Sequence, residues 1–216
     1  EKWKKQNGGN AANKLFTFAV EQYLTKNDIN YFYYTGDESI EDINERYDIV
    51  VLPFANIFNS HPVILQLLRK YTEIIRQLTI PIYIIGCCLQ CLDYKEIGSL
   101  VNMIGKPVSE FLDAVYCTGG ELALRGYATK KFLDKIMSNS ADVTGCPSVY
   151  QKGPNLQITN TKVEEKDFRP VINGNLKYLR KTYVLPAFDK YKNSIYLDQD
   201  EFAEWLYFKK LSSKDK

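Results

Sequence analysis

The run Ile80-Pro81-Ile82-Tyr83-Ile84-Ile85-Gly86 is almost entirely apolar and rich in β-branched residues, and a glycine closes it. Such runs are typical of strands that are buried on both faces of a parallel sheet. A second run, Tyr47-Asp48-Ile49-Val50-Val51-Leu52-Pro53, has the same character. Between the two runs, apolar residues from Val63 to Leu78 recur mostly at helical spacing. We therefore predict two parallel strands joined by a crossover helix.

The same alternation continues on both sides of this unit. Upstream, residues 12–24 form an amphipathic pattern that predicts a helix, and the aromatic run 29–34 predicts a strand. Downstream, residues 111–117 are predicted as a strand, a helix is predicted to start at Gly119-Gly120 and to pass through Leu124 and Ile136, and residues 141–147 return to the sheet. The sequence thus predicts a Rossmann-like α/β fold, a parallel sheet with helices on both faces.

A change in composition marks a predicted domain boundary. Residues 151–167 are polar and charged, as expected of a linker, so we assign 1–150 to a Rossmann-like N-terminal domain and 168–216 to a partial C-terminal domain. In the latter we predict strands over 168–174 and 194–197 and helices over 175–181 and 199–210. So short a stretch is small for a second Rossmann-like domain. We expect the second domain to be incomplete.

Composition and charge exclude several classes of protein. The 216 residues are 45% hydrophobic and 25% charged, the balance of a globular protein. The net charge is +2, from 28 basic and 26 acidic residues, so we expect no nucleic-acid partner. No apolar run approaches the ~20 residues that span a bilayer, and none resembles a signal peptide. Three of the five cysteines crowd into residues 87–91, which favours a reducing compartment, and we expect a soluble cytoplasmic protein.

Ligands of open α/β sheets bind beyond the carboxyl ends of the strands, so the segments after each apolar run are the candidate sites. Gly8-Gly9 opens the first helix, and Asn10, Asn13 and Lys14 follow; this segment is either an anion site or a plain N-cap turn. Gly86 permits a tight turn after its strand, and Gln90 offers a donor and an acceptor to a hydroxyl-rich ligand.

Arg125 and Thr129 place a guanidinium and a hydroxyl near a predicted helix start, where arginine suits a carboxylate or phosphate. The alternative for Arg125 is a surface residue paired with a local acid. We interpret Cys146 as part of a turn rather than as a nucleophile. We predict no metal site, because His61 is the sole histidine and is expected to start a helix, and because the cysteines of residues 87–91 suit buried small apolar positions.

Four segments, taken in order, carry a resemblance to a known family. They are Gly9-Asn10-Ala11-Ala12-Asn13-Lys14, Ile80-Pro81-Ile82-Tyr83-Ile84-Ile85-Gly86-Cys87-Cys88-Leu89-Gln90, Leu124-Arg125-Gly126-Tyr127-Ala128-Thr129 and Thr144-Gly145-Cys146-Pro147-Ser148. Over about residues 8 to 150 this order resembles the polysaccharide pyruvyl transferase family.

The resemblance implies a two-domain, glycosyltransferase-B-like fold that moves a pyruvyl group from phosphoenolpyruvate to a sugar of a surface polysaccharide, without a further cofactor. It implies that Arg125 binds the donor, and that a lipid-linked acceptor would bring the protein to the membrane surface as a peripheral partner. Cys88 replaces a glycine of the family's turn, and the family's C-terminal histidine has no counterpart. The open alternatives are a nucleotide-sugar glycosyltransferase of similar fold and a catalytically inactive glycan-binding member.

Overall fold

A computed structural model gives the structure of the chain. It divides into two compact units, one of residues Phe16–Pro154 and one that combines Glu1–Leu15 with Asn155–Lys216. The predicted domain bounds stay a prediction. The structure describes residues 11–34, 37–91, 93–138, 141–152, 157, 164, 169–173, 190–191 and 193–197.

The larger unit alternates helices and strands along the chain. Helix α1 begins ahead of this unit, at Ala11, and runs into it. The elements are α1 (Ala11–Lys26), α2 (Ile40–Arg46), β1 (Val50–Pro53), α3 (Pro62–Ile75), β2 (Ile82–Cys87), α4 (Ile97–Cys117), β3 (Glu121–Leu124), α5 (Tyr127–Leu133) and β4 (Asp142–Val143), with short 3-10 helices at Tyr94–Glu96 and Pro147–Lys152.

The four strands form one parallel sheet in the order β1-β2-β3-β4. Val50 pairs with Ile82, Ile84 with Leu122, and Leu124 with Val143. This arrangement confirms the predicted α/β class, the crossover helix α3 and the strands around β1, β2 and β4. Because all neighbouring strands pair in parallel, their carboxyl ends lie on the same edge of the sheet.

The main core lies between the sheet and helices α3 to α5, and its centre is aromatic. Phe58 is fully buried, and its ring centroid lies 6.2 Å from that of Phe111 and 6.4 Å from that of Phe132. Phe58 belongs to the loop after β1, and it forms a parallel bridge with Leu89, which follows β2. The core therefore holds two loops of the carboxyl edge in fixed positions.

The predicted strand over residues 111–117 is wrong, because this run is the end of helix α4. Its buried residues are spaced as on one face of a helix: Ile97, Leu100, Ile104, Gly105, Val108, Phe111, Leu112, Ala114 and Val115. A short apolar run can equally be a buried strand or part of a buried helix, and only its length in context separates the two. Helix α4 also continues through Pro107, although proline normally destabilises the interior of a helix.

The predicted helix start at Gly119-Gly120 is also wrong, since residues Glu121–Leu124 form strand β3 and helix α5 begins only at Tyr127. Leu122 and Leu124 are buried, whereas Glu121 is exposed. This alternation is that of a strand, but four residues are too few for the pattern to be decisive in the sequence.

The predicted strand over residues 29–34 is wrong as well, because this segment has no regular structure. Its aromatic side chains are largely exposed, with Phe32 71% accessible. They contact one another and their neighbours instead: Tyr31 packs edge-on against Tyr33, and Phe32 lies 5.8 Å from the ring of Tyr47. Strand propensity describes how well residues fit a pleated, half-buried surface, and residues 29–34 do not form such a surface.

In the smaller unit, strands β5 (Val171–Asn173) and β6 (Ile195–Leu197) pair in parallel. They confirm the strands predicted over 168–174 and 194–197. The predicted helices over 175–181 and 199–210 lie outside the described residues, as does most of the predicted linker 151–167. None of the described helices is both long enough and apolar enough to cross a membrane.

Candidate functional site

The candidate site lies at the carboxyl edge of the sheet, where the chain leaves β2, β3 and β4. Backbone hydrogen bonds continue past the strand ends. The N–H of Arg125 donates to the carbonyl oxygen of Cys87 at 2.9 Å, and the N–H groups of Thr144 and Gly145 donate to that of Leu124 at 3.0 and 3.1 Å. These bonds fix the three loops against one another.

Arg125 is the centre of the cluster. Its Nη2 donates to the Sγ of Cys146 at 3.4 Å, and its Cζ lies 5.6 Å from the centroid of the Phe16 ring. Partial burial lowers the pKa of Arg125, but the sulfurs of Cys146 and Cys88 outweigh it and raise that pKa above its ordinary value. Arg125 is therefore a permanently charged group with an aromatic side chain beside it.

Cys146 is the acceptor in this arrangement. Besides the bond from Arg125, its Sγ lies 3.0 Å from the Oγ of Ser148. Partial burial raises the pKa of the Cys146 thiol, but hydrogen bonds from Ser148 and Arg125 favour the charged form and hold this pKa below its ordinary value. The surroundings of Cys146 thus favour a thiolate.

Cys88 has the opposite role. Its Sγ donates to the Oδ1 of Asn56 at 3.0 Å and approaches the carbonyl oxygen of Leu89 at 3.5 Å. The two thiols thus make opposite hydrogen bonds: the Sγ of Cys88 donates to an amide oxygen, whereas the Sγ of Cys146 accepts from the guanidinium of Arg125.

Phe16 and Gly86 give the cluster its floor. Phe16 of α1 is 3% exposed and, like Ala19 and Val20, is buried outside the main core cluster. Gly86 is buried with φ +70°, and a Cβ at this position would overlap the Phe16 ring and lie 3.0 Å from the Cδ of Pro147. Only glycine combines this backbone conformation with so close an aromatic ring.

Gln90 and Thr129 adjoin the same loops with different surroundings. Gln90 is exposed, and its Oε1 accepts a hydrogen bond from the Nδ2 of Asn59 at 2.8 Å. Thr129 is 2% exposed, and its hydroxyl accepts from the N–H of Leu89 at 2.9 Å. The Thr129 hydroxyl thus ties α5 to the loop after β2, whereas the Gln90 side chain faces solvent.

The predicted residues of the N-terminal segment lie ahead of the larger unit or outside the described residues. Asn10 lies outside the described residues. Asn13 and Lys14 are part of α1 but belong to the other compact unit, and the side chain of Lys14 is likewise not described. Their binding role stays a prediction.

Sequence reasoning placed Gly86 and Arg125 at the right edge but missed Phe16, Asn56 and Ser148. Phe16 was visible only as part of an apolar helix face. Asn56 was detectable as a polar residue shortly after β1, since it lies beyond the carboxyl end of that strand. Ser148 was part of the quoted motif, and its contact with the Cys146 sulfur depends on the turn that follows β4.

His61 lies at the start of α3, as predicted. Its Nδ1 accepts a hydrogen bond from the N–H of Val63 at 3.3 Å, and its own N–H donates to the Oδ1 of Asn59 at 2.8 Å. A side chain that accepts a hydrogen bond from a backbone N–H of the first turn caps the helix. His61 is therefore part of the α3 cap.

A surface depression lies away from the Arg125 cluster, and the described residues contain no metal-ligand cluster. A shallow depression between the end of α3 and the end of α4, lined by Ile75, Leu78, Ala114 and Cys117 among others, lies at the amino edge of the sheet, opposite the Arg125 cluster. The five cysteines are free thiols. In the part of the chain that the structure describes, no three potential metal-ligating side chains come together.

Fold and site together define an α/β protein with a guanidinium–thiol cluster at the carboxyl edge of a parallel sheet. Comparison with protein-family models, with curated proteins and with solved structures finds no match.

Proposed function

We propose that the chain is a transferase of the polysaccharide pyruvyl transferase family, which moves a pyruvyl group from phosphoenolpyruvate to a sugar of a surface polysaccharide. The observation that carries this proposal is the convergence of three of the four motif segments. Those around Gly86, Arg125 and Cys146 lie far apart in the sequence but are linked directly by hydrogen bonds at one sheet edge. Segments that are needed for one ligand are expected to meet in this way.

Arg125 supplies the chemistry that an anionic donor requires. Phosphoenolpyruvate carries a carboxylate and a phosphate, and a planar guanidinium binds either group through two parallel hydrogen bonds. The guanidinium is half-buried beside Phe16, so its electrostatic attraction is screened less than that of a surface arginine. An incoming anion would replace the sulfur of Cys146 as its acceptor.

The finer architecture is part of the same proposal. A glycosyltransferase-B-like arrangement would add a second domain across the carboxyl edge, and the acceptor glycan would bind between the domains. A lipid-linked acceptor would bring the protein to the cytoplasmic face of a membrane. A nucleotide-sugar glycosyltransferase would use Arg125 for its diphosphate, so the donor distinguishes the two enzymes.

One observation favours a second candidate, a glycan-binding member of the family without catalysis. His61 is the only histidine of the chain, and its ring caps α3 through Nδ1. The acid–base histidine that the family resemblance implies therefore has no candidate beside Arg125.

Calorimetric titration with phosphoenolpyruvate tests the proposal. We expect saturable binding, and we expect Arg125→Ala to weaken it by about 10- to 150-fold, because a hydrogen bond to a charged group contributes about 1.5–3 kcal/mol. Arg76→Ala is the matched control. Arg76 follows α3 at the amino edge of the sheet and pairs with Glu73 at 2.7 Å, so its loss should leave the affinity unchanged.

Each outcome discriminates between the candidates. Binding of a nucleotide-sugar without binding of phosphoenolpyruvate identifies the glycosyltransferase. Binding of phosphoenolpyruvate that both arginine variants weaken equally would refute a donor site at Arg125. Binding of an oligosaccharide alone, with no transfer when both substrates are present, supports the inactive glycan-binding member.

A further inference from the structure

Two thiols, those of Cys88 and Cys146, lie at the carboxyl edge and make different hydrogen bonds. Cys88 donates its proton to Asn56, whereas Cys146 accepts from Arg125 and contacts the hydroxyl of Ser148. Both cysteines are partly exposed residues. A hydrogen bond from a cation favours the thiolate form of a cysteine, and thiolates react where thiols do not.

We propose that Cys146 is a modification site, a thiolate that hydroperoxides oxidise to sulfenic acid. This inference does not depend on pyruvyl transfer, because it concerns the chemistry of the cluster itself. It assigns a function to the Cys146 sulfur that the proposed donor site leaves unused.

The reaction balances with a hydroperoxide as the oxidant. The Cys146 sulfur attacks the terminal oxygen of the peroxide, so an S–O bond forms as the O–O bond breaks. The sulfur is oxidised by two electrons, and the peroxide is reduced to an alcohol, or to water in the case of hydrogen peroxide. The leaving oxygen takes up a proton from solvent. Arg125 would stabilise the negative charge on sulfur before the attack and on the leaving oxygen during it.

The other cysteines of the chain are less suited to this reaction. Cys87 is fully buried, and burial raises the pKa of its thiol well above the ordinary value. Burial, and then the negative charge of Glu96, raise the pKa of the Cys91 thiol. Cys117 is exposed at the end of α4, on the amino edge of the sheet. Cys117 therefore reports how fast an accessible thiol reacts in this same chain.

The test treats the whole chain with hydrogen peroxide, stops the reaction with iodoacetamide and counts the remaining thiols at each cysteine by peptide mass spectrometry. We expect Cys146 to lose its thiol about 3- to 10-fold faster than Cys117 at pH 7. A lowered pKa raises the thiolate fraction of Cys146 at pH 7, and the lower nucleophilicity of a more acidic thiol offsets part of this gain, so the expected difference is modest. Dithiothreitol should restore the Cys146 thiol, since sulfenic acid and disulfides are reducible.

Variants of the cluster test the cause of this reactivity. Arg125→Met removes the cation and should slow the oxidation of Cys146 by at least about threefold, while Arg76→Met should leave it unchanged. The fully buried Cys87 is an internal control for folding, because it must stay unreactive in each variant. Should Arg125→Met expose Cys87, Ser148→Ala provides the comparison, since it removes only one hydroxyl from the sulfur.

Two results would overturn the proposal. The first is oxidation of Cys146 no faster than that of Cys117 in the unaltered chain. The second is an unchanged Cys146 rate in a folded Arg125→Met or Ser148→Ala variant, which would show that the cluster does not activate the sulfur.

Discussion

Replacing Gly86 by alanine should destabilise the protein through two separate effects. Gly86 has φ +70°, a conformation that alanine adopts only with strain. In addition, the new Cβ would overlap the ring of Phe16, which is 3% exposed, and would touch Pro147. Because the ring is buried, we expect its displacement to disturb the packing between α1 and the end of β2.

The magnitude follows from separating these effects with two other glycines. Gly119 has φ +78° but nothing within 4 Å of an added Cβ, so Gly119→Ala should cost only the backbone strain, about 1–2 kcal/mol. Gly98 lies in α4 with ordinary φ and open space around it, so Gly98→Ala should stabilise by about 0.5–1 kcal/mol. Overpacking adds about 1–3 kcal/mol, so Gly86→Ala should cost about 2–5 kcal/mol.

Urea denaturation of the three variants and the parent, followed by far-UV circular dichroism, measures these differences. The expected order of stability is Gly98→Ala, parent, Gly119→Ala and Gly86→Ala. Equal losses in Gly86→Ala and Gly119→Ala would refute the reasoning, because the Phe16 contact would then contribute nothing. Gly86→Ala should also lose phosphoenolpyruvate affinity if Phe16 positions Arg125.

Three further changes test other parts of the structure. Thr129→Val leaves the buried N–H of Leu89 without its acceptor and should lower the free energy of unfolding by about 1–3 kcal/mol; a thermal melt as stable as the parent's would contradict this. Phe58→Ala empties the aromatic centre of the core and should cost about 3–5 kcal/mol in chemical denaturation, and a cost below 1 kcal/mol would argue against that packing. Ser39→Ala removes the capping box with Asp42 at the start of α2, which buries no residue, so it should speed amide exchange within α2 with little change in the global midpoint. Hydrogen bonds from Ser39 hold the pKa of Asp42 below its ordinary value. In the parent, the protection of the α2 amides from exchange should therefore be full above the ordinary carboxyl pKa and fade as the pH falls through the lowered pKa of Asp42 in the folded protein. Protection that persists when Asp42 is protonated would contradict the prediction.

The sequence predicted those elements whose pattern is long or strongly biased. Strand β2 is a β-branched run that glycine ends, and α3 between Pro62 and Ile75 has a clear apolar face. The sequence failed at residues 111–117 and 121–124, where a short apolar run fits either element. Helix α4 extends back to Ile97, and the tertiary packing of its whole length, not the last seven residues, makes it helical.

The sequence predicted the location of the candidate site, at the ends of strands, but not the contacts within it. Gly86 was expected at the carboxyl edge because it closes the predicted strand that became β2. Arg125 was expected near a helix start after a strand predicted over 111–117; that run is helical, and Arg125 follows β3 instead. The partners of Arg125 were not predictable, because Phe16 and Cys146 come from two separate segments. Their distances from the guanidinium depend on sheet order and on how α1 packs.

The sequence by itself determined the α/β class, the direction of the central strands and the edge at which polar side chains gather. Local preferences and hydrophobic periodicity carry this information, because they act between residues that are close in the chain. Only the tertiary structure decided that Thr129 bonds internally, that His61 caps a helix, and that Cys146 accepts from Arg125 while Cys88 donates to Asn56. Hydrogen-bond partners and burial depend on contacts between residues far apart in the chain, which only the packed fold brings together.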